Sequence, residues 1–131
     1  MVRVLGLTPV AAVTGEGSVN RTGSRFGVYG TDLGIAWESR PGEVLIAFGD
    51  SYGRDWGGNG AGPAHADWRC NFVARSTSTN LDQGLLLEPL TRRADGAAEQ
   101  AIGRDQDTDR ENTVIPTSGI AVGNRNYLHY M

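Results

Sequence analysis

Tyr29-Gly30-Thr31-Asp32-Leu33-Gly34-Ile35-Ala36-Trp37, Arg40-Pro41-Gly42-Glu43 and Val44-Leu45-Ile46-Ala47-Phe48 follow one another in the chain, and together they decide its fold. The outer two are apolar runs of strand length. The middle one sets φ at Pro41 and then offers Gly42, which adopts positive φ without cost, the chemistry of a hairpin turn. The stretch therefore predicts two antiparallel neighbours, over 29–37 and 44–48.

The same pattern continues outward. Nineteen glycines cut the chain into short pieces, with Val, Ile, Leu and aromatic residues gathered between them. Asn71-Phe72-Val73-Ala74-Arg75-Ser76 reads as a third strand and Leu85-Leu86-Leu87-Glu88-Pro89-Leu90 as a fourth, joined by a turn at Asn80-Leu81-Asp82-Gln83-Gly84. Upstream, Val2 to Leu7 reads as a peripheral strand rather than an export signal, because Pro9 interrupts the apolar stretch, and Gly15-Glu16-Gly17-Ser18 reads as a turn. Downstream, Ala97 to Ile102 fits either a helical turn or a short strand. Thr113-Val114-Ile115-Pro116 and Gly119-Ile120-Ala121-Val122 then lead through Gly123-Asn124 into a last strand, Asn126 to Met131.

The expectation is an all-β fold of antiparallel, four-stranded units. A blade-like unit over about 26–92 and the start of the next over about 112–131 make about one and a half blades of a β-propeller. A complete small β-sandwich or barrel is the alternative.

Composition narrows the function. The chain has 131 residues, 39% of them hydrophobic, and a formal charge of -3, which suits one domain. Twelve arginines and no lysine are scattered among fifteen acidic residues, so no continuous basic footprint for nucleic acid is expected. No apolar run approaches the roughly 20 residues of a spanning helix, so membrane insertion is not expected. Cys70 is the only cysteine, which excludes an internal disulfide and leaves little for zinc beyond His65 and His129; it reads as a small buried residue. Asp105, Asp107, Asp109 and Glu111 alternate like a calcium loop, but Arg110 and Pro116 stand where glycine and glutamate are required, so a solvated acidic loop is expected. No cofactor and no metal are expected.

Chemistry is sought at strand ends. Asp32 lies between glycines beside Thr31, whose hydroxyl is placed to orient a carboxylate. Asp50 directly follows the strand that ends Phe48-Gly49 and opens a glycine-rich stretch running from Ser51 to Asp67. The hairpin puts these two acids on adjacent strands, and paired carboxylates suit glycoside hydrolysis, in which one gives a proton and the other activates water or attacks the sugar. Turn capping is the plain alternative. Tyr52, Trp56 and Trp68 offer flat faces for sugar rings or packing for the loop. Arg69 and Asn71, at the loop exit, offer donors for sugar hydroxyls or for bracing a carboxylate.

Asn20-Arg21-Thr22, Gly30-Thr31-Asp32-Leu33-Gly34-Ile35, Phe48-Gly49-Asp50, Trp68-Arg69-Cys70-Asn71, Ile115-Pro116-Thr117-Ser118-Gly119-Ile120 and Tyr127-Leu128-His129-Tyr130-Met131 occur in an order that resembles an actinobacterial family long filed as a domain of unknown function and now associated with endo-D-arabinanases. The resemblance covers nearly the whole chain, with Cys70 where the family motif usually has serine. It implies a five-bladed β-propeller of which this chain is the N-terminal part. It also implies hydrolysis of the D-arabinan of mycobacterial arabinogalactan and lipoarabinomannan, in an envelope-directed or bacteriophage setting. On the same resemblance Asp32 and Asp50 are the catalytic acids, and Trp68, Arg69 and Asn71 line or brace the centre. The expected mechanism has Asp32 as base or nucleophile and Asp50 as its partner, with Thr31 and Tyr52 completing the expected substrate-binding residues. The expected partners are D-arabinan and, to cover the open sheet, a C-terminal propeller segment or a second copy. A truncated carbohydrate-binding or structural subunit that assembles with another chain is the alternative function.

Overall fold

A computed structural model describes residue 3, residues 5–105 and residues 112–131. A short helix, α1 (Thr22–Phe26), precedes the strands β1 (Gly30–Arg40), β2 (Glu43–Tyr52), β3 (Trp68–Arg69), β4 (Phe72–Ser76), β5 (Glu88–Pro89), β6 (Pro116–Val122) and β7 (Arg125–Tyr130). The first five strands form one antiparallel sheet in the order β1-β2-β4-β5, with β3 pairing β2, and β6 and β7 form a separate antiparallel hairpin. The fold is mostly β, and neither sheet closes on itself.

The hairpin expected from the opening stretch is present and longer than expected. Gly42 takes φ 79°, and Glu43 ties the turn down by accepting from Ser39 at 2.6 Å and Arg40 at 2.8 Å. β2 is apolar almost throughout because both faces of the sheet are covered, which removes the alternation of a half-exposed strand. On one face Ile46, Phe48, Phe72 and Ala74 pack against Phe26, Val28, Leu87 and Ala98. Phe48 and Phe72 are cross-strand partners whose rings stack at 4.7 Å. On the other face Leu45, Ala47 and Val73 pack against Trp37 and Leu128, so the β6–β7 hairpin lies over this side. Trp37 anchors it: the indole rests where a side chain at Gly119 would have to go, and its Nε1 donates to Asn126 at 3.0 Å.

Two expected strands are corrected, and one unexpected helix is present. The fourth strand shrinks from 85–90 to Glu88–Pro89 because side chains occupy the backbone groups that a ladder would use. The buried Asn20 amide donates to Leu85 O at 2.8 Å and accepts from Leu87 N at 2.7 Å, while Ser78 Oγ accepts from Leu86 N at 2.9 Å. The peripheral first strand is also absent from the described part of its range, where Leu5 and Leu7 are exposed and unpaired; Val2 and Val4 lie outside the described residues. The Asn20-Arg21-Thr22 segment instead opens α1, which sequence reading missed. Its turn is set by the Gly15–Ser18 turn beneath it, where Thr22 Oγ1 accepts from Gly15 N at 2.8 Å and donates to Val28 O at 2.7 Å.

Residues 97–102 form neither a helical turn nor a strand; Ala98 makes only an isolated bridge to Arg92. Cys70 is buried as expected. Of the acidic run, Asp107, Asp109 and Glu111 lie outside the described residues. No helix among the described residues is long and apolar enough to cross a membrane.

Candidate functional site

Asp32 stands where the β1–β2 ladder changes register. Between the pairs Thr31↔Ser51 and Leu33↔Phe48, β2 sets two residues, Gly49 and Asp50, against the single Asp32. The extra residue is returned on β1 at Gly34, and pairing resumes at Ile35↔Ala47. Such paired bulges twist the ladder and redirect side chains. Leu33 sits at φ 63° and Gly34 at φ 114°, and the left-handed leucine costs on the order of 1–2 kcal/mol. The strain brings the Asp32 carboxylate down onto the backbone of β2, where any Cβ at Gly49 would collide with it and with the Leu33 side chain.

The two acids are therefore neighbours, as the hairpin predicted. Burial raises the Asp32 pKa above the ordinary carboxylate value, the charge of Asp50 raises it further, and a hydrogen bond from the Asp50 backbone N–H opposes both. The Tyr52 phenol is likewise raised, first by burial and then by the charges of Asp50 and Asp32. Three ionisable groups thus share one electrostatic neighbourhood at this end of the sheet.

Asp50 lines a cavity of about 510 Å³, together with Tyr52, Trp68 and Thr113, and the Gly62-Pro63 segment closes it on the loop side. Asp32 is not among the lining residues; its carboxylate lies over Gly49, the residue before Asp50. Trp68 Nε1 donates to Asp50 Oδ1 at 3.1 Å, and the Arg104 guanidinium lies 5.4 Å from the centre of the Trp68 ring. Tyr52 stacks on Trp56 at 5.1 Å, and Trp56 folds its loop down by donating to Gly60 O at 2.7 Å. Of the three loop aromatics, Tyr52 and Trp68 reach the cavity and Trp56 packs the loop.

The other expected site residues are placed differently. The Thr31 hydroxyl pairs with Ser51 Oγ at 2.7 Å rather than with a carboxylate. Arg69 is buried and donates to Ala98 O at 2.8 Å and Gly27 O at 2.5 Å, away from the cavity, and burial lowers its pKa. Asn71 is also fully buried. It accepts from Ala101 N and Ile102 N at 3.1 and 2.9 Å and donates to Ile102 O and Val114 O at 3.1 and 3.0 Å. Both side chains are spent on the protein and act as braces. The loop from Gly53 to Asp67 is closed at its base by Gly53 N donating to Asp67 O at 2.6 Å, and Arg93 grips the Asp67 carboxylate with two bonds of 3.0 and 2.7 Å. Those bonds lower the Asp67 pKa despite its partial burial.

Sequence reading missed Thr113, whose Oγ1 donates to Asp50 Oδ1 at 3.0 Å across a separation of 63 residues. No local pattern marks such a contact. A second cleft, of about 400 Å³, is lined by Arg25, Arg54, Arg92 and Arg93, but three of these guanidinia are engaged by Glu88, Asp67 or Asp95. Among the described residues no three His, Cys, Asp or Glu side chains gather as a metal site.

These features define an antiparallel, mostly-β protein with two neighbouring acids, one of which, Asp50, lines an aromatic-walled cavity. The chain belongs to the family described as Domain of unknown function (DUF4185), whose model matches residues 17–131. Among curated proteins, none matches it.

Proposed function

We propose that the chain is part of an endo-acting glycoside hydrolase that cleaves D-arabinan of the mycobacterial arabinogalactan and lipoarabinomannan type. In this reading the two sheets are successive units of a β-propeller, with Asp32 and Asp50 as its acid pair. The face-to-face stacking of the β6–β7 hairpin on the larger sheet supports the propeller reading, because propeller blades stack in this way. The observation that carries the functional reading is the Asp32–Asp50 pair beside a cavity walled by Tyr52 and Trp68.

The raised pKa of Asp32 supports a division of labour opposite to the one first expected. Asp32, whose pKa is raised above the ordinary carboxylate value, keeps its proton to higher pH than a free aspartate, and it serves as general acid toward the leaving oxygen. Asp50 accepts two hydrogen bonds, which hold its carboxylate in one orientation, and it activates water or attacks the anomeric carbon. Tyr52 and Trp68 bear the sugar rings. Arg69 and Asn71 hold the frame.

The test is turnover of D-arabinan by the wild type, Asp32→Asn and Asp50→Asn. Loss in both variants is expected, and turnover unchanged in both removes the pair from the chemistry. An arabinoside with an activated aryl leaving group separates the roles: Asp32→Asn recovers cleavage on it and Asp50→Asn does not.

A second reading, a carbohydrate-binding or structural subunit that completes its sheets with a C-terminal propeller segment or a second copy, is favoured by the outer face of the β6–β7 hairpin, where Ile120, Val122 and Tyr127 are exposed. Under it, D-arabinan binds without being cleaved, and turnover by the wild type decides between the two.

A further inference from the structure

We propose that Thr113 is a positioning residue that fixes the orientation of the Asp50 carboxylate, a role that rests on the hydrolase reading of this site. Two donors converge on one oxygen of Asp50: Trp68 Nε1 at 3.1 Å and Thr113 Oγ1 at 3.0 Å both reach Oδ1. Both bonds fall on the same oxygen of a carboxylate that lines the cavity. A carboxylate held by one hydrogen bond still turns about its terminal torsion, whose energy profile is broad. Two donors arriving from different directions stop that rotation.

The direction of the second donor is itself built in. Trp68 opens β3, which pairs with β2 through Tyr52↔Trp68, so the indole reaches Asp50 from the sheet. Thr113 arrives from a distant part of the chain, and its neighbour Val114 is buried and pinned through its carbonyl by the Asn71 amide. The same Asn71 side chain also bonds Ile102, so the residue that precedes β4 holds both Ile102 and the neighbour of Thr113. Asn71, expected from sequence to meet the substrate, thus acts through Thr113. Preorganised hydrogen bonds of this kind lower a barrier because no reorientation remains to be made at the moment of reaction.

The experiment compares wild type, Thr113→Val and Thr113→Ser on D-arabinan, with an NMR measurement that needs no turnover. Thr113→Val keeps the shape of the side chain and removes the hydroxyl. Its kcat is expected to fall about ten- to a hundred-fold, the range for losing one hydrogen bond to a charged group, with KM within about twofold of wild type. Thr113→Ser, which restores the donor, returns kcat to within a few-fold. In 1H–15N spectra the Trp68 indole N–H signal shifts in Thr113→Val, because its acceptor turns, while the Trp37 indole signal, bonded to Asn126, stays in place and shows the fold intact. An unchanged kcat, or a change in KM only, overturns the proposal. So does an unmoved Trp68 signal. If the wild type does not cleave D-arabinan, the hydrolase reading fails, and the indole signal still decides whether Thr113 orients Asp50.

Discussion

Asn71→Ala tests the frame of the site most directly. The side chain is fully buried and makes four hydrogen bonds, so truncation strands four backbone groups: the N–H of Ala101 and of Ile102, and the carbonyls of Ile102 and Val114. They are not equivalent. Val114 is buried, so its carbonyl has no water to turn to, and leaving it unpaired costs about 1–3 kcal/mol. Ala101 is exposed and Ile102 half-buried, so water replaces much of what the other three lose, at about 0.5 kcal/mol each. Together these give a loss of about 3 kcal/mol. With a urea dependence of about 1.5 kcal/mol per molar, the unfolding midpoint drops by about 2 M. The assay is urea unfolding followed by tryptophan fluorescence and by circular dichroism. Asn71→Asp supplies the control: ionised, it keeps the two acceptor contacts, loses the two donor contacts and sets a buried charge against the Ile102 and Val114 carbonyls, so it is expected at least as destabilised as Ala. A loss under about 1 kcal/mol for Asn71→Ala would refute the bracing argument, and with it the route by which Asn71 holds Thr113.

Asp32→Asn is expected to stabilise the protein near neutral pH while abolishing turnover, the signature of a site residue held at a cost to the fold. The sign follows from the raised pKa: the folded state binds the Asp32 proton more tightly than the unfolded state, so stability falls as pH rises through the unfolded value and stays lower above the folded one. The midpoint advantage of Asp32→Asn should be present at pH 7 and vanish below about pH 3, where both states are protonated; equal midpoints at pH 7 would contradict it. Trp37→Ala removes the half-buried indole that seats Gly119 and binds Asn126, at about 2–3 kcal/mol. Amide exchange should then accelerate in β6 and β7 well before it does in β2 and β4, and uniform acceleration across both sheets would show that Trp37 is not the anchor between them.

Much of this architecture is legible because it is local. Pro41 and Gly42 specify a turn, the flanking runs specify strands, and two strands joined by such a turn have one antiparallel way to pair, so Asp32 and Asp50 become neighbours before any tertiary contact is known. Elements whose backbone partners come from far away are not legible in this sense. Leu85 to Leu87 has the composition of a strand, and it is the amide of Asn20, 65 residues earlier, that takes its carbonyl and keeps it out of the ladder. The helix at Thr22 to Phe26 is too short to show a period, and it exists because Thr22 is bonded to both Gly15 and Val28.

The same division runs through the site. Sequence determined the two acids, their adjacent strands and the aromatic residues around them, since these follow from residue type and from a turn of fixed geometry. Tertiary structure decided which polar side chains line the cavity and which serve the frame: Arg69 and Asn71 point into the protein, Thr31 bonds Ser51, and Thr113 reaches Asp50 from 63 residues away in the chain. A polar side chain looks the same in sequence whether it faces a cavity or a buried carbonyl. The nearest unpaired backbone group settles the choice, and only the folded chain says where that group is.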